Sequence, residues 1–418
     1  MKNLWRTGII YTAAQFLTLL VGFGFQIAVR RQLQHQTGEF GLVQTAIAFI
    51  GFLGLPLSIA AQAVTHYIAR FHFSGDDARL HGLLAGCRKF LFHFTLIGSV
   101  AAVILIKPMG GFFHISRVSL TLIVLVCVLA GLWNSYISAL CQGLGWFKRL
   151  ALLGLLAAII RFAFGVSMTA ISPMAEWAVL ASAVMLLSNF VLFAWKKDFP
   201  RKTDAATSPW TKEFVQFLVV SAACIFAANC FGQYDLLAAQ RNHFPGAQLD
   251  DYAAAGLLAR QIPALGGPLL AIFFTHRSGH HQHRGDDLRE QLKLIGLFAF
   301  GLLTNAAGLF FLKSFGLRLI GQNTPEAVGM IAPFSVTMVF VGLIQAIGIW
   351  ALASRWIKIS ILYGALGLVY WLTILFLGKS PEELLRVMPV AAGIAFAILF
   401  SVWLIAMRLH KISAPEQS

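Results

Sequence analysis

Long apolar runs alternate with short polar connections along this chain, and the runs are too long to be strands or helices of a soluble core. A helix crossing the hydrocarbon of a bilayer needs about 20 apolar residues. Runs of that kind lie at 9–29, 40–69, 90–107, 118–141, 150–171, 175–195, 214–238, 249–275, 294–312, 327–353, 357–377 and 387–407. The pattern predicts an all-α integral membrane protein with about twelve transmembrane helices. The opening MKNLWRTGII has the basic start and apolar continuation of a signal sequence, but no small-residue cleavage site follows it. The first run is therefore expected to be retained as an anchor.

The longest polar connection, KKDFPRKTDAATSPW at 196–210, divides the runs into equal halves. The expected organisation is an N-terminal six-helix lobe at 1–195, a cytoplasmic linker at 196–213 and a C-terminal six-helix lobe at 214–418. A midpoint of this kind invites a search for an internal repeat. In the first half Arg30-Arg31 ends a run, Phe40 opens the next and Pro56 follows; in the second Arg241, Tyr252 and Pro268 do the same, with identical spacing from the aromatic residue to the proline. Two parallel lobes around a central cleft are the architecture this predicts. Gly22, Gly24, Gly51, Gly54 and the Gly266-Gly267-Pro268 cluster serve either close helix packing or bending.

Composition agrees with the pattern: 58% of residues are hydrophobic and only 12% charged, with mean hydropathy +0.76, against about a quarter charged in soluble chains. The net charge is +15. Its Lys and Arg flank the apolar runs rather than gathering on a polar domain, so nucleic acid is not an expected partner. With both termini placed in the cytoplasm, basic residues on that side outnumber those on the other by more than two to one, as the positive-inside rule requires. The five cysteines form no C-x-x-C pair and read as reduced packing residues.

Candidate chemistry lies in the few charges set within apolar runs. Asp235 is the only acidic residue placed well inside one, and Arg260 sits near the middle of the next. Each costs about 2.5–3.5 kcal/mol at a helix centre and marks a functional candidate. Pro263 and Gly266-Gly267-Pro268 follow Arg260 and weaken that helix. Arg30, Arg31, Arg161 and Arg260 all lie in runs or at their ends, which leaves a cationic surplus over one carboxylate. Either water or an anionic substrate balances it, and guanidinium forks suit phosphate and pyrophosphate oxygens. The alternatives are that Arg30 and Arg31 snorkel to headgroups and that Arg260 pairs Asp235. Asp235 itself has three readings: pairing Arg260, binding a coupling cation, or exchanging a proton.

The tract His276-Arg277-Ser278-Gly279-His280-His281-Gln282-His283 invites a metal reading, but it has no cysteine and no fixed ligand spacing, so a solvated loop is expected. The chain has no Gly-rich phosphate loop, nucleophile elbow or H-E-x-x-H. No catalytic residue, metal or cofactor is expected. Asp250-Asp251, at the outer mouth of the eighth run, is the one acidic pair that a glycosyltransferase or polymerase would use.

Two stretches resemble the polysaccharide-biosynthesis flippases, the Wzx-type O-antigen and exopolysaccharide repeat-unit translocases of the multidrug/oligosaccharidyl-lipid/polysaccharide exporter superfamily. The first is GFGFQIAVRRQLQHQTGEFGLVQTAIAFIGFLGLPLSIAAQAVTHYIAR (22–70), in which Arg31-Gln32-Leu33, Phe40-Gly41 and a Leu-Pro span fill the family's opening pattern. Either Arg30 or Arg31 fills the arginine's place, because the turn after them is longer than usual. The second is YDLLAAQRNHFPGAQLDDYAAAGLLARQIPALGGPLLAIFF (234–274), with Asp235, Tyr252 and Pro263 or Pro268 in family positions. The resemblance implies two six-helix lobes around a cationic cavity open alternately to each side of a bacterial inner membrane. It also implies a polyprenyl-pyrophosphate-linked oligosaccharide as substrate; the intramembrane charges Arg30, Arg31, Arg161 and Arg260 are its expected contacts, and Asp235 is the expected coupling or ion-pair residue. Trp133, Asn134, Tyr136, Gln142 and Asn189 are weaker candidate sugar contacts. Membrane lipid, and a polymerase or glycosyltransferase of polymer assembly, are the implied partners. A cation-coupled multidrug exporter of the same superfamily, a membrane glycosyltransferase or polymerase, and an assembly scaffold are the competing expectations.

Overall fold

The computed structural model describes residues 2–112, 117–194, 212–264, 288–353 and 356–413. All regular structure among them is helical. The chain divides into two compact units, Met1–Val219 and Val220–Ser418. The Gly266-Gly267-Pro268 cluster, the 276–283 histidine tract and most of the expected linker lie outside the described residues.

Unit 1 contains α1 (Lys2–Leu33), α2 (Glu39–Leu53), α3 (Leu55–Ser74), α4 (Asp77–Phe112), α5 (Val118–Gly143), α6 (Phe147–Ile171) and α7 (Ala175–Ala194). In it α6 packs on α1 and α7, and α5 on α7 and α3. α2 and α3 form one expected run, bent by 52°. The bend has a local cause: Pro56 occupies the first turn of α3, where its missing N–H interrupts the hydrogen-bond ladder.

α8 (Lys212–Gly232) crosses the boundary at Val220, and unit 2 holds its larger part with α9 (Asp235–Arg241), α10 (Gly246–Ala259), α11 (Gln261–Ala264), α12 (Leu288–Ile320), α13 (Pro325–Ala353), α14 (Ile357–Leu377) and α15 (Pro381–Ser413). α13 packs on α12, α15 and α10, while α14 packs on α15 and α9. Small residues let α14 approach α8: a Cβ added at Gly367 would lie 2.6 Å from the Ala227 Cα, the close backbone contact that replaces the hydrophobic effect between helices in lipid.

Among the described residues nine helices are long and apolar enough to cross a membrane, or ten with the α2–α3 pair. The two expected runs that fall short are the seventh and eighth. The sequence pattern reads 214–238 and 249–275 as continuous, whereas the first breaks after Gly232 and the second at Arg260; the rest of the eighth lies outside the described residues. Outward faces of the long helices carry large apolar side chains such as Phe311, 82% exposed, as lipid-facing surfaces do. The protein is a multi-pass membrane protein.

Candidate functional site

The break in the seventh run creates the most distinctive polar site. Gly232 ends α8, two turn residues follow, and Asp235 opens α9. Asp235 thus stands at a helix start rather than deep in a continuous span, and Arg260 stands at the junction of α10 and α11 rather than mid-helix. The two breaks hold each other. Leu236 N–H bonds the Gln233 carbonyl, so the Gly232 carbonyl takes the Arg260 Nε–H at 3.0 Å. A backbone group freed in the bilayer must find a partner inside the protein; here it is a side chain 28 residues on.

Arg260 Nη2 also donates to Asp235 Oδ2 at 2.6 Å, and the Tyr252 hydroxyl donates to the same oxygen at 2.6 Å. The Tyr252 ring packs on Phe334, with centroids 4.8 Å apart, and the Arg260 guanidinium lies 5.9 Å from the Phe334 ring centre. The Asp235 side chain is 2% exposed and that of Arg260 17%. Asp235 Oδ1 and the Tyr370 hydroxyl are buried with no hydrogen-bond partner among the described residues. Of the open readings of Asp235, pairing with Arg260 is the contact formed in this structure.

Unit 1 places its arginines differently. Arg30 and Arg31, adjacent in sequence, separate in space: Arg30 is 3% exposed with its guanidinium 5.5 Å from the Phe40 ring centre, while Arg31 is exposed. Arg161, on the interior of α6, has its guanidinium 4.4 Å over the Phe25 ring of α1. Its Nε is buried without a hydrogen-bond partner, and no carboxylate pairs with it among the described residues. Phe25 and Arg30 are about 7.5 Å apart along α1 at 1.5 Å per residue, so α1 carries one of these cations and packs a ring against the other.

The weaker sugar-contact candidates have partners within the unit. Asn189 Nδ2 donates to Asn134 Oδ1 at 2.9 Å, Trp133 meets Phe190 edge-on at 5.8 Å, and Tyr136 is buried in the apolar core. Gln142 is exposed.

Sequence reasoning missed a second ionic site. Arg117, just before α5, bridges Glu39 at the start of α2 and Glu176 at the start of α7. Glu39 Oε2 also accepts the Ala175 backbone N–H at 2.7 Å, and Ser119 Oγ donates to Glu176 at 3.0 Å. The Glu39 carboxylate beside it holds the Arg117 guanidinium above its ordinary value. The signal was present: topology puts the starts of the second, fourth and sixth runs on one side of the membrane, and each carries one of these charges.

Asp251 also has a structural partner set. Its Oδ1 accepts from Gln322 Nε2 and from Thr324 Oγ1, the latter at 2.7 Å. No group of three or more His, Cys, Asp and Glu that would hold a metal occurs among the described residues.

No family model and no curated protein matches the chain. Among solved structures it is similar to the inward-facing conformation of a multidrug resistance MATE family transporter of the MOP superfamily, at 12% identity over 97% of this chain and 99% of that one, with a TM-score of 0.68. It is similar to the lipid II flippase MurJ in an inward closed conformation, at 12% identity over 94% of this chain and 87% of that one, with a TM-score of 0.70. A eukaryotic MATE transporter aligns at 12% identity over 96% and 95% of the two chains, with a TM-score of 0.58. At such identity the likeness is one of fold, and this chain has the fold of those proteins.

Proposed function

We propose that this protein is a transporter that flips a polyprenyl-pyrophosphate-linked oligosaccharide across a bacterial cytoplasmic membrane for polysaccharide biosynthesis, with both termini in the cytoplasm. The observation that carries the reading is Arg161: a cation on the interior of a spanning helix, packed on Phe25, with no carboxylate partner among the described residues. The one carboxylate of the seventh run is already engaged by Arg260. A guanidinium kept in this setting favours an anion, and phosphate oxygens match its donors. Arg30, Arg31 and Arg260 are the further proposed contacts. The fold shared with a lipid II flippase and the basic cytoplasmic connections support the same assignment. The flipped product would pass to a polymerase or glycosyltransferase.

The expected outcome of Arg161→Ala or Arg260→Ala is loss of polysaccharide export with the protein still inserted, read by surface polymer and membrane immunoblot. Normal export by both variants would sink the cationic-contact mechanism. The likeness to multidrug MATE transporters keeps a cation-coupled drug exporter as the second reading. That reading requires resistance to cationic drugs on expression, which an unpaired Arg161 opposes by charge. The enzyme alternative rested on Asp250 and Asp251. Because Asp251 joins α10 to the start of α13, substituting it perturbs packing whatever the chemistry, so Asp250→Asn alone is the cleaner test.

A further inference from the structure

The Asp235 site has one accessible member and one sealed member. Arg260 is 17% exposed at its side chain, whereas Asp235 is 2% exposed. Two of the three guanidinium nitrogens are committed, Nε to the Gly232 carbonyl and Nη2 to Asp235 Oδ2; Nη1 has no hydrogen-bond partner among the described residues. The guanidinium folds back over its own helix because residue 256 is glycine: a Cβ there would stand 2.7 Å from Nη1. An anion arriving at this site therefore meets Arg260 and not Asp235. It also competes with Asp235 for the one positive charge of that guanidinium.

Losing Arg260 would leave Asp235 with only the Tyr252 hydroxyl on Oδ2. A buried carboxylate stripped of its cation is strongly disfavoured and neutralises instead. The atom that would take the proton is Oδ1, which is buried and without a partner. The groups facing it are few. Tyr252 and Arg260 come from α10 and its end. Tyr370 of α14, its hydroxyl also without a partner, lies within electrostatic reach of both Asp235 and Cys230 of α8. α15 contributes the Met388 thioether, 3.3 Å from the Tyr252 hydroxyl. Among the described residues Arg260 is the only cation paired with Asp235, so no second positive charge replaces it.

We propose that Arg260 is shared between Asp235 and the anionic group of the substrate, so that binding the anion loads one proton from solution onto Asp235. The balance is simple. Before binding, the carboxylate and guanidinium neutralise each other; after it, the guanidinium pairs the anion and the proton neutralises Asp235. No bond other than the new O–H is made. The same exchange withdraws Arg260 from the Gly232 carbonyl and unpins the two helix breaks, joining proton loading to a change at α8–α9 and α10–α11. This inference rests on the pyrophosphate reading above.

The test uses the full-length protein in detergent, with farnesyl pyrophosphate as probe and farnesol as its neutral control. Binding is measured by calorimetry in two buffers of different ionisation enthalpy, at about pH 8, above the second phosphate ionisation near 6. The expected result is uptake of about one proton per bound pyrophosphate and none with farnesol, the linkage signature of a site that gains a proton on binding. Asp235→Asn should bind the probe with no uptake. Gly256→Ala crowds Nη1 while keeping both charges, so it should loosen the pair, protonate Asp235 before binding and reduce the uptake. Pyrophosphate binding without proton uptake in the unmodified protein, or undiminished uptake in Asp235→Asn, overturns the inference while leaving the flippase reading intact. Failure of the unmodified protein to bind pyrophosphate overturns both.

Discussion

In unit 1 the start of the second span is held to the starts of the fourth and sixth by Glu39, Arg117 and Glu176. In unit 2 the second span is held to the start of the fourth by Asp251 with Gln322 and Thr324, which are neutral. The ends of the first and fifth spans are likewise joined in both units. Gln32 bonds Thr169 and the Val166 carbonyl in the first; Asn242 Nδ2 bonds the Leu375 and Gly378 carbonyls in the second. The register that sets Phe40 on Tyr252 also sets Glu39 on Asp251. Between the first two spans of each unit the chemistry is reversed. Gln44 donates to Gln26 at 2.7 Å in unit 1, a neutral buried pair, where unit 2 has Asp235, Tyr252 and Arg260. The same stations are tied in each unit, so the ties serve the architecture. The placement of ionic chemistry differs: the inner tie of unit 2 is an ion pair, whereas that of unit 1 is a neutral amide pair.

That comparison can be broken by substitution, and the largest effect is expected at the inner pair. Asp235→Ala leaves a guanidinium without its carboxylate, for an expected loss of about 3–5 kcal/mol. The Asp235→Ala, Arg260→Ala double variant should lose less than the two single losses summed, as chemical unfolding in detergent would show. Arg117→Met comes next. Its side chain is 37% exposed, so the expected loss is intermediate between buried and surface pairs, about 1–3 kcal/mol. Raising salt should shrink it by screening. Thr324→Val, in the neutral counterpart, should cost about 1 kcal/mol, because Thr324 also caps the Ala327 N–H; salt should leave that loss unchanged. Smallest is the Gln26→Leu, Gln44→Leu double variant. Either single change strands a buried amide at about 1–3 kcal/mol, whereas removing both partners is near neutral. A salt-insensitive Arg117 variant, or equal costs at the inner ties of both units, would contradict the contrast.

Much of this was legible in the sequence, because bilayer length and hydropathy act locally. Apolar runs pointed to the all-helical class and the long helices, and two lone opposite charges in neighbouring runs put an Asp235–Arg260 pair among three open readings. The helix breaks at Gly232 and Arg260 were not legible. They are stabilised by a bond between residues far apart in sequence, Arg260 Nε to the Gly232 carbonyl, while the hydropathy of both segments stays high. Arg30 and Arg31 were indistinguishable as letters; only the turn of α1 buries one against Phe40 and exposes the other. Arg117 looked like an ordinary connection residue, since its partners lie 78 and 59 residues away.

The most direct measurement is translocation by the purified protein in sealed proteoliposomes containing a labelled polyprenyl-pyrophosphate-linked oligosaccharide. An enzyme or reductant added outside counts the molecules exposed on the outer leaflet over time. The account predicts that the protein speeds equilibration between leaflets and that Arg161→Ala abolishes the acceleration at equal incorporation. Equilibration no faster than in protein-free liposomes, with cationic drugs transported instead, would contradict it.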